Sequence, residues 1–434
     1  TQHELAAFAD DRRHTSIFAD AKAYTTSHTN DAYYWQGVMH DNVLYPAGEF
    51  TIGKTISPLE SEQCAHLAQI HSSIGKAMPQ IGLTLADEVL LPRFHFQVKN
   101  HPLREYIYKA ESLEYQTLDN MDAWVELDTL PPGATITNTL WVYRAKPDKN
   151  GMLERIKARL TLRGDQQKLG LAPEDTYSPV MNMISLRTLL SLHCKDPEVI
   201  YMQADIKAAF LTAKCKRPTY ITPPEGFGRP GAILQLERAL YGGADSGRAF
   251  YDEFTIFHKE IGFSAIIHDR CYLSITDDSG NFIKFVFHVD DMAIAYKGEK
   301  LWQWYLTKLR ERYEFTLGPL EHFLGIRITR NADRSFRLDQ SAQVEKMLRT
   351  FNLEKAKPVD TPVGGKRPTK ADSPVTSKER ADAAKIPYMQ AVGHLNYLQT
   401  TSHLEISFPL KVASHFMCCY GQAHWTWVKH IMKY

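Results

Sequence analysis

Long apolar runs are missing from this chain. No stretch reaches the roughly 20 residues that a membrane-spanning helix needs, and nothing at the N-terminus has the form of a signal peptide. Paired cysteines are missing too. Cys64, Cys194, Cys215, Cys271, Cys418 and Cys419 are scattered, with no Cys-x-x-Cys spacing, so the sequence suggests neither a zinc ribbon nor a disulfide framework and fits a reducing compartment. A net charge of +1 leaves bulk electrostatics neutral on the question of a nucleic-acid partner. What is present is a globular composition, 44% hydrophobic and 23% charged, in 434 residues, too many for one ordinary core and enough for two to four subdomains.

The basic residues that exist are unevenly spread. Between residues 138 and 170 lie Arg144, Lys146, Lys149, Arg155, Lys157, Arg159, Arg163 and Lys168, opposed by Asp148, Glu154 and Asp165. Two strand-like runs, residues 141–146 and 156–162, flank turn residues 147–151, which makes this segment a basic hairpin and a candidate for holding polyphosphate. A solvated hairpin would read the same way.

Periodicity supplies the frame around it. Leu103, Ile107, Ala110, Leu113, Leu118 and Met121 follow helical spacing, with Pro102 suited to the first turn. Residues 184–194 read as a buried helix, 248–262 as an amphipathic helix, and 299–313, 338–351 and 391–400 as further helices. Residues 199–206, 233–240, 271–275 and 282–296 read as strands, and the polar stretch 364–384 as a linker or loop. Residues 42–52 look like short strands, but the first hundred residues show no chemistry.

Two adjacent acid pairs offer an internal comparison. Asp277-Asp278 sits in a polar turn that needs no further explanation. Asp290-Asp291 sits between apolar strand segments, where unpaired carboxylates are costly and a cation is the simplest neutraliser, although a hairpin tip reaching solvent would also serve. Asp205 tips the balance. It too ends an apolar strand, 85 residues earlier, and neighbouring strands would gather all three acids. Such hard oxygen ligands suit Mg2+, with Mn2+ as a substitute, and two ions of this kind support an in-line phosphoryl displacement.

The flanking motifs then fall into an order. Residues 157–164 and 176–180, Ala204-Asp205-Ile206-Lys207-Ala208-Ala209-Phe210-Leu211, residues 223–227, Leu240-Tyr241-Gly242, His288-Val289-Asp290-Asp291-Met292, Leu317 to Ile326, residues 357–362 and 392–398 and the ending from His424 to Tyr434 resemble, in that order, the reverse transcriptase of copia-type (Pseudoviridae) long-terminal-repeat retrotransposons. The resemblance covers residues 101–434. It implies an α+β, right-hand polymerase fold with fingers, palm (an antiparallel sheet plus helices), thumb and connection. Its implied bounds are an N-terminal extension at 1–100, fingers and palm at 101–335, and a thumb/connection region at 336–434.

By the same resemblance, Asp205, Asp290 and Asp291 would be catalytic and hold the metals. Lys157 and Arg159 would clamp the incoming triphosphate, with backbone amides of Ala208 and Ala209 approaching it. Phe210 would be the gate under the sugar, Tyr241 and Gly242 would line the nucleotide pocket, and Phe323, Leu324, Gly325 and Ile326 would form the hairpin that grips the primer. The implied activity is RNA- and DNA-templated extension of a primer by deoxynucleotides (dNTPs). The partners would be a primer-template, as RNA/DNA hybrid or DNA duplex, with no membrane and with oligomers left open. The setting would be cytoplasmic, in a virus-like particle for a retroelement product, or nuclear for a domesticated one.

Three departures bear on that reading. His288 stands where the family has Tyr. Residues 243–247 lack the family's Lys and Pro and gain Asp245, an acid expected to weaken anion binding. Residues 402–406 also differ. They motivate the alternative of a domesticated, catalytically weak or inactive, nucleic-acid-binding subunit. His403, His415, Cys418, Cys419 and His424 follow no zinc-finger spacing and read as helical core residues. No ribonuclease H, integrase, protease or zinc-knuckle motif is visible, and Thr1 in place of Met fits a piece excised from a polyprotein.

Overall fold

The computed structural model describes residues 80–434 apart from 83, 87, 88, 149 and 168–171, together with the backbone of four short strands between residues 32 and 51. Those strands pair antiparallel, Ala32–Tyr34 with Glu49–Thr51 and Gly37–His40 with Val43–Pro46. The rest of residues 1–79, and with it most of the N-terminal extension set apart above, lies outside the described residues. One compact unit is Leu67–Asp339; another contains Gln340–Tyr434.

In the first unit, six described strands form an antiparallel sheet in the order Ser264–Ile266, Asp269–Thr276, Phe282–His288, Asp291–Lys297, Ile200–Ile206, Phe315–Pro319. Side chains alternate between its faces. Phe285 and Phe287 share a face with their cross-strand partners Ile294 and Met292, and helix Ser246–Glu260 packs there, with Phe254 and Phe287 rings 4.8 Å apart. Tyr305 of helix Glu299–Arg312 is also buried on that side and bonds His258 Nε2 at 2.9 Å; full burial pushes the His258 imidazole down to about 3, so it is a neutral core group. Helix Met183–Leu192 covers the other end of the opposite face, where the Tyr201 hydroxyl donates to the Leu190 carbonyl. With both faces covered, strands 282–288 and 291–297 are almost continuously apolar, as buried strands are. The same helix is anchored by a buried carboxylate. Asp269 accepts from the Asn182 amide (2.8 Å), the Ser185 hydroxyl (2.5 Å) and the Cys271 amide (2.8 Å).

A second core forms under the basic hairpin, Thr139–Pro147 paired with Leu153–Leu162. Ile156, Ala158, Leu160 and Leu162 turn inward with Trp141 and Tyr143 onto helix Arg104–Asn120, whose Ile107, Ala110 and Leu118 are buried. Period-two alternation therefore puts Arg144, Lys146, Arg155, Lys157 and Arg159 on the outer face. A further antiparallel sheet of His322–Phe323, Ile326–Arg330 and Phe336–Asp339 belongs to the same unit. Its first turn is the two-residue Leu324-Gly325, both at positive φ (49° and 74°), the geometry that matches strand twist in a tight hairpin.

The segment Gln340–Tyr434 is helical: Ser341–Thr350, Ser377–Ala383, Tyr388–Thr401, Ser407–Ser414 and Gln422–Lys433. Tyr388, Leu395, Leu410, Trp427 and Ile431 form its core, and the Tyr388 hydroxyl and Trp427 indole donate to the carbonyls of Ala413 and Pro409.

The architecture is α+β, as the sequence implied, and several details differ. Pro102 precedes the helix, which starts at Arg104, and Leu113 on that helix is exposed. Ile184 and Leu192 are exposed at either end of a helix expected to be wholly buried. The strand at 233–240 shortens to Ile233–Leu236, which pairs antiparallel with Trp124–Leu127 and Tyr220–Ile221 in a separate sheet before the chain leaves it to reach Gly242. Residues 364–384 are not purely loop. Thr376 and Glu379 form a reciprocal capping box that starts the Ser377–Ala383 helix, a signal that the polar composition hid.

Replacing Asp269 by Ala orphans two backbone amides and a hydroxyl at a buried site, and each lost bond to a charged group costs on the order of 1.5–3 kcal/mol. The expected result is a lower urea midpoint with an unchanged m value. An Asp269→Ala midpoint equal to the parent's would show that the helix anchor lies elsewhere.

Candidate active site

Strand register builds the acid cluster. Asp205 stands directly across from Asp291, with Thr316 as its neighbour on the other side. The Ile206 amide donates to the Asp290 carbonyl at 3.0 Å, tying the hairpin tip to the same strand. That tip is Val289-Asp290, and Val289 adopts φ 59°, a left-handed conformation that a β-branched residue enters only under constraint from its surroundings. Asp290 at this tip and Asp291 just after it both interact with Asp205. Burial and then the Asp290 charge raise Asp205 above the ordinary carboxylate range, against the pull of Lys157, Arg159 and Lys146. Burial and then the Asp290 and Asp205 charges push Asp291 up to about 6, with its side-chain contact to Asp205 adding to the rise. Asp277 makes the contrast: it accepts from Ser279 and Asn281 and merely closes a turn.

Among the described residues, no three His, Cys, Asp or Glu side chains form a ready-made metal cage. The donor chemistry still fits Mg2+, which is commonly held by one or two carboxylates plus the phosphates of its substrate. A mutually repelling oxygen cluster that suppresses its own ionisation is a site that gains from a divalent cation.

The basic face confronts these acids. The charge of Lys157, Arg159 and Lys146 is felt at Asp205. Burial and the neighbouring Arg159 lower the Lys157 ammonium below its usual value. The Arg159 guanidinium lies over the Tyr241 ring, 4.5 Å from its centroid, and Tyr241 meets Phe210 edge-on at 4.8 Å. Phe210 also packs on buried Phe250. The chain thus brings Arg159, Tyr241 and Phe210 into one row beside the acids. Gly242 (φ 80°) lets the Tyr241 carbonyl accept from the Leu162 amide at 2.7 Å; a Cβ there would lie 2.4 Å from the Leu162 carbonyl oxygen. Ala208 takes φ 48°, ψ 38° and breaks the Asp205 strand into the short Ala209–Thr212 helix, and the Ala209 side chain is buried.

On the other flank, a cavity is lined by Gln203, Asp205, Asp291, Thr316, His322 and Phe323. Of the four hairpin residues picked from sequence, only Phe323 borders it. Ile326 is wholly buried, and Leu324 and Gly325 make the turn. His288 sits opposite Asp291; burial lowers its imidazole, and its Nδ1 is buried without a hydrogen-bond partner. Asp245 is buried (7% exposed) at the start of helix Ser246–Glu260, and its charge is felt at Cys215. His424 is a core group, accepting from the Gly421 amide and facing the Thr369 carbonyl.

Sequence reasoning missed Gln203, Thr316, His322 and Glu114. Gln203 had a signal, since it lies two residues before Asp205 and so on the same strand face. Glu114, half-buried on helix Arg104–Asn120, faces Lys157 and Arg159, and burial raises its carboxyl against their pull. His322 lies inside the matched stretch Leu317 to Ile326, beside Phe323, whereas nothing in the local sequence joins Glu114 or Thr316 to the site.

Comparison with known proteins agrees with the motifs. Residues 122–364 match the family model described as reverse transcriptase (RNA-dependent DNA polymerase). The chain is 34% identical over 345 residues to the retrovirus-related Pol polyprotein from transposon TNT 1-94 of Nicotiana tabacum, covering 78% of this chain and 26% of that protein. It is 30% identical to the corresponding polyprotein from transposon RE1 of Arabidopsis thaliana, covering 72% and 21%, and 25% identical to the transposon Ty1-H Gag-Pol polyprotein of Saccharomyces cerevisiae, covering 60% and 14%. The chain therefore spans about a quarter or less of the length of these relatives. A foamy viral protease–reverse transcriptase solved with an RNA/DNA hybrid aligns over 95% of this chain and 54% of its own, at 15% identity and a TM-score of 0.37.

The raised Asp291 carboxyl has a stability consequence. Its folded-state value of about 6 exceeds the ordinary value near 4, so the folded chain binds the proton more tightly than the unfolded one. The cluster is a net cost above pH 6, relieved as pH falls towards 4. In metal-free protein, Asp291→Asn should therefore melt above the parent at pH 7.5, with the gap shrinking by pH 4.5. Equal melting temperatures at pH 7.5 would remove the repulsion argument.

Proposed function

The chain belongs to the reverse transcriptase (RNA-dependent DNA polymerase) family, and on that footing we propose that it extends a primer with dNTPs on RNA or DNA templates. The observation that carries the reading is the register of Asp205 against Asp291, with Asp290 at the adjoining tip. On this reading, residues 101–335 serve as fingers and palm and residues 336–434 as thumb and connection.

Each group has a role in the displacement. The primer's 3′-oxygen forms a bond to the α-phosphorus of the dNTP, and the bond from that phosphorus to the bridging oxygen breaks, releasing pyrophosphate. Asp205, Asp290 and Asp291 would hold two Mg2+ or Mn2+ ions, which when bound favour ionisation of the hydroxyl and neutralise charge on the leaving group. Lys157 and Arg159 oppose the triphosphate, Lys157 as a point charge and Arg159 as a planar fork already oriented by the Tyr241 ring. The backbone at Ala208 and Ala209 approaches the same phosphates. Phe210, wedged between Tyr241 and Phe250, sits under the sugar and excludes a 2′-hydroxyl. The Phe323–Ile326 hairpin holds the primer end.

Primer extension on RNA and DNA templates tests this directly. The parent should incorporate dNTPs only with Mg2+ or Mn2+. Asp290→Asn should lower the rate at least about 10³-fold, since it removes charge that acts only when the metals are engaged. Unchanged extension by Asp290→Asn would reject the assigned site, and primer-template binding without incorporation by the parent would favour a non-catalytic subunit. Phe210→Ala should admit ribonucleotides at a rate at least about tenfold nearer that of deoxynucleotides, because removing the ring opens the space for one hydroxyl.

A further inference from the structure

The strand that carries Asp205 also carries a second device. Tyr201, Gln203 and Asp205 alternate onto one face. Gln203 is flanked across the sheet by Ala293 and Gly318, the smallest neighbours a strand can offer, and a Cβ added at Gly318 would meet nothing within 4 Å. The face above Gln203 is thereby left open for backbone to descend onto it. The Gln203 Oε1 accepts from the amides of Glu321 (3.2 Å) and His322 (3.1 Å). Those amides begin the His322–Phe323 strand, which turns through Leu324-Gly325 into Ile326–Arg330. Two residues back, the Tyr201 carbonyl accepts from the Leu320 amide at 3.3 Å, and its ring packs edge-on against Phe336 at 4.7 Å with the Arg330 guanidinium 5.3 Å away. The small sheet of residues 322–339 is therefore fastened to the acid-bearing strand at two points, and Gln203 is the one next to Asp205.

A carboxamide oxygen has two lone pairs, and this one spends both on a single stretch of backbone. The cavity between hairpin and acids is lined by Gln203 together with Asp205, Asp291, His322 and Phe323. The two amides are near solvent, so water can replace the Gln203 oxygen. Loss of the side chain should loosen placement more than it unfolds the chain.

We propose that Gln203 is a positioning residue for primer extension: it pegs the hairpin that holds the primer end at a set distance and angle from Asp205. The inference rests on the polymerase reading above. Misplacement by about 1 Å between reacting groups can cost on the order of 100-fold in rate, which sets the size of the effect.

The test uses the full chain with Gln203→Leu and Gln203→Glu. The leucine fills similar volume without an acceptor; the glutamate accepts the same two amides. Gln203→Leu should slow single-turnover extension about 10–100-fold, with primer-template affinity and dNTP KM within about twofold of the parent and little change in melting temperature. Amide exchange at Glu321 and His322 should speed up. Gln203→Glu should recover most of the rate at saturating Mg2+ and restore slow exchange. Parental rates in Gln203→Leu would overturn the proposal. So would a rate loss that Gln203→Glu does not relieve, or one that tracks lost stability or lost primer affinity. A parent that extends nothing would bring down the polymerase reading itself, an outcome distinct from an active parent whose rate ignores residue 203.

Discussion

Asp205 faces Asp291 across two hydrogen-bonded strands, and the arrangement is held against its own electrostatic repulsion. The strands cannot slide to relieve it. A one-residue slip of either strand would turn its core residues, Ala204 or Met292 and Ile294, to the other face and drive an acid into the core. The apolar packing of Phe254, Phe285, Phe287 and Tyr305 behind the sheet thus sets the register, and the register sets the acids in front. Val289 in a left-handed conformation belongs to the same balance, since the core on both sides of the tip leaves the turn no other path.

The surrounding parts share this logic. The basic hairpin buries one alternate set of residues against helix Arg104–Asn120 and so presents Lys157 and Arg159 together. Arg159 gives up some freedom by lying on Tyr241, which prepares it for a planar anion. Glu114 and the three acids keep the region from being uniformly positive, so a triphosphate would meet an ordered mixture of charge rather than a bare cationic wall. On the opposite flank, Gln203 and Tyr201 bind the small sheet to the strand of Asp205. The primer-side hairpin and the acids are consequently referred to one piece of backbone, residues 200–206.

Much of this was legible beforehand where a local rule suffices. The acid pair at 290–291 was separable from the one at 277–278 because strand residues flank only the former. The basic hairpin could be read from alternation and turn chemistry, whereas the hairpin at Phe323–Ile326 came only through the family resemblance. The misreadings also have local causes. Composition hid the capped helix at 377–383. Apolar content alone made Ile184 and Leu192 look buried, although helical phase puts them at the margin. Asp245 looked like a charge in the nucleotide pocket because its neighbours in sequence are there, yet the turn into helix Ser246–Glu260 takes it under the surface towards Cys215.

The sequence by itself determined the family, the α+β class and the identity of the three carboxylates, since these depend on residue type, order and short periodicity. Tertiary structure alone decided which acid lies across from which, that burial and neighbouring charge raise Asp291, and that Thr316 and Glu114 join the site. Those facts depend on burial and on contacts between segments that lie from about forty to more than a hundred residues apart. Neither is written in any local pattern.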